Sequence, residues 1–216
     1  RAKAGGWLQR FPQWDWVGGR TSISSSVGML PAVLMGLDTK AFLDGCSQMD
    51  SWCREKDWNP ATALAAVWYR QAMQHQRKTL VFLPYNDRLL LMGRYFQQLI
   101  MESIGKPVDG VGWGLSVLGN KGSTDQHALV QQLREGSNDF FASFVAVLDK
   151  TDDDLPVQGH RTAGDYLIAL LLGTRRALTQ AGRSSYKLVV PRIDELRLGA
   201  IVALPERAVG AYASML

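Results

Sequence analysis

The run Phe140-Phe141-Ala142-Ser143-Phe144-Val145-Ala146-Val147-Leu148 narrows the possible folds more than any other stretch of the chain. A strand wetted on one face alternates apolar and polar residues, whereas a nearly continuous apolar run suits a strand covered on both faces. Two further short apolar runs, 79–83 and 186–190, and a weaker glycine-rich one, 111–118, also read as strands. Patterns of helical length separate them, at 87–103, 124–135, 162–180 and from Asp194 onward. Three more helices are expected earlier: one starting near Ser22–Ser26 and reaching residue 37, then 39–54 and 60–76. Asn59 caps the last of these, and Pro60 takes its first position. Short buried strands joined by helices of ten or more residues imply parallel pairing through helical crossovers. The expected fold is therefore α/β, a three-layer αβα sandwich with a mainly parallel sheet. In such sheets ligands gather at the carboxyl ends of the strands, which points to the segments after Phe82, Val117 and Leu148.

Composition excludes several classes. The 216 residues are 46% hydrophobic and 20% charged, ordinary values for a globular protein. Charges or glycines interrupt the apolar runs well before a membrane-spanning length, and the first residues carry no secretory pattern. The net charge of +4 is spread among acids, with no basic block to suggest a nucleic-acid or membrane partner. The acidic segment 151–154 reads as a solvated turn. Cys46 and Cys53 lie about two helical turns apart, roughly 10 Å, too far for a disulfide. No clustered ligands suggest a metal. The chain opens without Met and closes inside the apolar pattern 208–216 with no cap or breaker, as expected for part of something longer.

Three segments hold residues with chemical potential. In Gly18-Gly19-Arg20-Thr21-Ser22 the glycines admit close approach of a ligand, the guanidinium offers fixed donors, and hydroxyls and a helix start favour an anion. A tight turn with a surface arginine explains the same residues. On 87–103, Leu89, Met92, Phe96 and Ile100 form a core face, while Arg94, Gln98 and Glu102 recur every four residues as a polar stripe. Glu102 falls in the last turn before Gly105, where the helix dipole disfavours a carboxylate. That placement raises its pKa toward the range of a general base unless Lys106 or another cation offsets it. A solvated glutamate is the plain alternative. In Gly119-Asn120-Lys121-Gly122-Ser123-Thr124-Asp125-Gln126-His127 a polar glycine loop leads into a helix that Thr124 would cap. His127 in its first turn is then biased toward the neutral ring, although Asp125 opposes this. A histidine with no chemistry fits there as well. His75 and His160 read as surface residues.

Together these segments resemble the glucose-6-phosphate isomerase family. The match consists of Phe11-Pro12-Gln13-Trp14-Asp15-Trp16-Val17-Gly18-Gly19-Arg20, of Gln97-Gln98-Leu99-Ile100-Met101-Glu102-Ser103-Ile104-Gly105-Lys106, and of Gln126-His127-Ala128, in order along essentially the whole chain. Thr21 and the loop 120–125 are similar to the branch found in photosynthetic lineages. The resemblance implies a flavodoxin-like sugar-isomerase (SIS) domain at 77–216, connecting helices at 38–76 and the tail of a first SIS domain at 1–37.

It also implies interconversion of glucose 6-phosphate and fructose 6-phosphate through a cis-enediol, with no metal or organic cofactor. The compartment implied is the cytoplasm, with the plastid stroma open. By the same resemblance Glu102 is the base, and Arg20 steadies the enediolate. Gln98 and Gly19 bind substrate, and His127 assists ring opening in the neighbouring active site of a homodimer. The family's phosphate-binding Ser/Thr loop and its C-terminal lysine have no counterpart in this sequence. Little activity is therefore expected of the chain alone. The rival reading is a non-catalytic sugar-phosphate-binding SIS module, which has no need of Glu102 beside Arg20 and His127.

Overall fold

All eight residues of strand β5 (Phe140–Val147) are buried. In the computed structural model, which describes residues 4–149 and 155–216, β5 lies between β1 (Thr79–Pro84) and β8 (Ser185–Val190). Strand β4 (Ser116–Gly119) lies outside β1, giving the order β4-β1-β5-β8 with every pairing parallel. Phe82 stands opposite Gly119 on one side and Ser143 on the other. The pleat sends successive side chains to opposite faces. Leu80, Phe82, Phe141 and Val145 enter one core, and Val81, Leu83, Phe140, Ala142 and Phe144 enter a second.

Helices cover both faces. The first core is closed by α2 (Thr39–Trp52), α3 (Pro60–Tyr69), α4 (Met92–Ile104) and α7 (Glu195–Ala213). The second is closed by α5 (Gln126–Glu135) and α6 (Ala163–Gln180). This is the three-layer α/β sandwich expected. Local signals act where they should. The Asn59 side chain accepts from Thr62 N, and Asp194 accepts from Arg197 N. Thr162 and Asp165 form a reciprocal capping box at the start of α6.

Several boundaries differ from expectation. The glycine-rich run 111–118 is not one strand. Its first part, β3 (Val111–Gly112), pairs antiparallel with β2 (Pro107–Val108), and Gly114 at φ +145° separates it from β4. A second small hairpin, β6 (Pro156–Gln158) with β7 (Arg161–Thr162), gave no apolar signal. The helix expected at 60–76 ends at Tyr69 and continues as a π turn, Arg70–Gln74. The one expected at 87–103 begins as a short 3-10 turn, Asp87–Leu89, before α4 starts. Near the amino end a 3-10 segment, Gly19–Ser24, precedes α1 (Ser26–Leu34). The acidic segment 151–154 lies outside the described residues.

Helices α2 and α7 cross in van der Waals contact through glycines. A Cβ on Gly45 would lie 1.8 Å from the Leu196 carbonyl oxygen, and one on Gly199 would lie 2.0 Å from that of Phe42. Backbone cannot yield as a flexible side chain can. Gly199→Ala is therefore expected to lower stability by about 1–3 kcal/mol, read from urea unfolding.

Near this crossing Tyr95 Oη donates to Glu206 Oε1 at 2.7 Å. Burial raises the Glu206 carboxyl above its ordinary pKa, against the lowering effects of that bond and of Arg207. Burial, with the Glu206 charge adding to it, also lifts the Cys46 thiol to about 11. Cys46 and Cys53 are both free thiols. At low pH Glu206 is protonated in the folded and unfolded chains alike. As pH rises through the ordinary carboxyl range the unfolded chain ionises first, so the stability tied to this group falls until the folded carboxyl ionises too. Glu206→Gln keeps the acceptor for Tyr95 and removes the titration. It is expected to raise Tm at pH 8 and leave it unchanged at pH 4 in paired thermal melts.

Candidate active site

Helix α4 owes its position to another glycine contact. A Cβ on Gly93, in its first turn, would meet Gly119 Cα at 2.9 Å, so the start of α4 lies against the end of β4. At its far end Gly105 approaches Gly114, just before β4 begins. The helix therefore runs antiparallel to the strands. Its inward face carries Met92, Phe96, Leu99, Ile100 and Ile104, all buried, and Leu89 is buried just before it. The polar stripe of Arg94, Gln98 and Glu102 faces outward as its spacing predicts. Glu102 thus sits toward the amino ends of the strands, away from the carboxyl ends that the general rule for such sheets favours. Gly105 closes the helix with φ −77°, outside the left-handed region, its N–H bonded to Met101 O.

Arg20 meets Glu102 across 82 positions of sequence. Its Nη1 donates to Glu102 Oε1 at 2.9 Å, and its Nε donates to Ser103 Oγ at 2.7 Å. Gln98 Nε2 makes a longer bond, 3.4 Å, to Glu102 Oε2. Each carboxylate oxygen therefore has one donor and keeps lone pairs free. The Glu102 side chain remains 55% exposed and that of Arg20 25%. The cation that meets Glu102 at the unfavourable end of the helix dipole is Arg20 rather than Lys106. Sequence reasoning gave Ser103 no role, although it lies beside Glu102 within the matched segment 97–106.

The Gly-Gly-Arg segment differs in detail from expectation. The Thr21 and Ser22 hydroxyls donate back to the Gly18 and Gly19 carbonyls at 3.1 and 2.7 Å, and so serve the 3-10 turn rather than an anion. Neither glycine has positive φ. The space over Gly19 is open: an added Cβ would meet nothing within 4 Å.

His127 lies elsewhere. It is exposed on the first turn of α5, across the sheet from α4 and at the opposite end, so this chain does not bring it to Glu102. Thr124 does not cap α5; Asp125 occupies the cap position without a side-chain bond to the helix. The Asp125 carboxylate turns back to accept from Lys121 N at 2.8 Å and Asn120 Nδ2 at 3.1 Å, and Lys121 pairs with Asp87. Gln126 anchors the helix start. Its Nε2 donates to Tyr85 Oη at 2.7 Å and to Thr174 Oγ1 at 2.6 Å. Tyr85 is 2% exposed and lies where a Cβ on Gly122 would fall, so loop, ring and helix start lock together. His75 and His160 are exposed, as expected.

An apolar cavity of about 390 Å³, lined by Trp52, Trp68, Phe82, Leu188 and Ile201 among others, includes none of Gly19, Arg20, Gln98, Glu102 or His127. Among the described residues no group of three or more potential ligands could hold a metal ion. No helix among them is long and apolar enough to cross a membrane.

The family model described as phosphoglucose isomerase matches residues 8–188. A glucose-6-phosphate isomerase of Geobacter sulfurreducens is 53% identical over 99% of this chain and 42% of its own length. One from Synechococcus elongatus is 54% identical over 97% of this chain and 41% of its own. Cyanobacterial and Geobacter relatives thus stand at similar identity. The solved glucose-6-phosphate isomerase of Chlamydia trachomatis superposes with a TM-score of 0.82 at 23% identity, covering 94% of this chain and 44% of that one. A hypothetical protein from Thermus thermophilus superposes with a TM-score of 0.84 at 27% identity, covering 92% and 50%. The chain spans about two fifths of the length of the curated relatives it matches.

Replacing Gln126 with Ala leaves the buried Tyr85 hydroxyl and Thr174 short of a partner. Urea unfolding is expected to show a loss of about 1–3 kcal/mol.

Proposed function

The chain belongs to the phosphoglucose isomerase family, and we propose that it takes part in interconverting glucose 6-phosphate and fructose 6-phosphate, with Glu102 carrying the proton between the two sugar carbons. Glu102 removes the proton from C2 of the open-chain aldose, leaving a cis-enediol, and returns it to C1. The hydroxyl proton moves from O2 to O1, and no cofactor is consumed. The observation that carries this reading is the 2.9 Å contact between Arg20 Nη1 and Glu102 Oε1.

Proton transfer to Glu102 moves negative charge from the carboxylate to the developing enediolate. A guanidinium beside the carboxylate can follow that charge with little reorganisation. Arg20 Nη2 has no hydrogen-bond partner among the described residues and can take the enediolate oxygen. The open space over Gly19 suits close approach of substrate, and Gln98 holds the second oxygen of the base.

His127 is assigned to ring opening in a neighbouring copy of a homodimer. Its distance in the fold from Glu102 supports that assignment, since a histidine at the other end of the sheet cannot serve the same site. The domain division at residues 37 and 76, and placement in the cytoplasm or plastid stroma, belong to the same proposal. So does low turnover by the chain in isolation.

The test is exchange of label between water and C2 of glucose 6-phosphate or C1 of fructose 6-phosphate, followed by NMR in the full-length enzyme. Glu102→Gln is expected to slow exchange by about 10²–10⁴-fold while sugar-phosphate binding persists. Near-normal exchange by that variant removes Glu102 as the base. Binding without exchange by the unsubstituted protein points instead to a non-catalytic sugar-phosphate module.

A further inference from the structure

The 3-10 segment that bears Arg20 has no buried residue, and no side chain caps its start. Ile23 packs partly buried against the first core, which holds the segment but does not fix the guanidinium that must meet α4. Two side-chain bonds do that work, one to the Glu102 carboxylate and one to the Ser103 hydroxyl. They respond differently to the reaction. The Glu102 bond is charge-assisted and strong only while the carboxylate is ionised. On the reading above, Glu102 is protonated for part of every turnover, and its hold on Arg20 weakens when Arg20 must steady the enediolate. The Ser103 bond does not depend on the charge of Glu102. Because Ser103 follows Glu102 on the same helical turn, it keeps Arg20 in register with the base.

We propose that Ser103 is a positioning residue that tethers Arg20 through its Nε while Glu102 is protonated, leaving Nη1 and Nη2 for the Glu102 carboxyl group and the enediolate.

This rests on Glu102 being the base, and the test separates the two ideas. The first measurement is solvent exchange of the Arg20 Nε–H by NMR in the ¹⁵N-labelled chain, with Glu102→Gln standing in for the protonated base. Exchange in Glu102→Gln is expected to stay within about twofold of the unsubstituted chain, and adding Ser103→Ala to speed it about tenfold, the loss of one hydrogen bond to a charged donor. Adding Ser103→Thr instead keeps the slow rate. Equal exchange in Glu102→Gln with and without Ser103→Ala overturns the tether, whatever becomes of the base.

The second measurement is turnover in the full-length enzyme. Ser103→Ala is expected to lower kcat about tenfold with KM unchanged, and Ser103→Thr to restore it. A rise in KM alone, or no recovery by threonine, overturns the positioning role. Unchanged thermal melting of Ser103→Ala separates either result from damage to the fold. If Glu102→Gln leaves turnover intact, the base assignment fails and the exchange measurement alone decides the tether.

Discussion

Burial of β5 on both faces is the constraint from which the architecture follows. A strand with no wetted face needs neighbours on both edges and helices above and below. Parallel pairing with β1 and β8 supplies the edges, and the two helix layers supply the rest. Parallel connections oblige each crossover helix to run back against the strands. Helix α4 must therefore end near the amino ends of the strands while α5 must begin near their carboxyl ends. The glycine contacts at Gly93–Gly119 and Gly105–Gly114 then set how closely α4 rests on β4.

That geometry gives Glu102 a character its residue type alone does not. The end of a helix is a poor place for a carboxylate, because the last carbonyls carry partial negative charge. Arg20 removes the difficulty from outside the helix. The pair is partly exposed, so its worth to stability is small, and its significance lies in bringing a carboxylate and a guanidinium within 3 Å of each other. A base that begins as an anion beside a cation passes its charge to an adjacent atom when it takes a proton. The cation does not have to move.

What the chain reveals of this before folding depends on how local each signal is. β1, β5 and β8 were legible because their apolar runs are continuous and flanked by helical periodicity. The two small hairpins were not: β2, β3, β6 and β7 are two or three residues each, mostly exposed, and held by turns rather than by an apolar face. Merging β3 with β4 was an error of the same kind, since the break at Gly114 is a matter of φ, on which composition is silent. Thr124 looked like a cap by residue type, but the Asp125 carboxylate is engaged by Asn120 and Lys121, and the turn closes one residue later. Within the candidate site, the stripe of Gln98 and Glu102 followed from helical spacing. The bond from Arg20 did not, because a separation of 82 positions carries no periodic signal for a contact made in three dimensions.

The separation of His127 from Glu102 has a physical reason beyond this chain. The start of α5 is the positive end of a helix dipole; the end of α4 is the negative end, where Arg20 meets the Glu102 carboxylate. The two helix ends offer opposite electrostatic environments because parallel crossovers place them at opposite ends of the sheet. One sheet of this kind cannot place both groups on one small molecule, since the strand length and the helix layers stand between them. A reaction that uses both must complete its site with a surface from outside this sheet. The exposure of His127 and the half-exposed Glu102 leave each available to meet one.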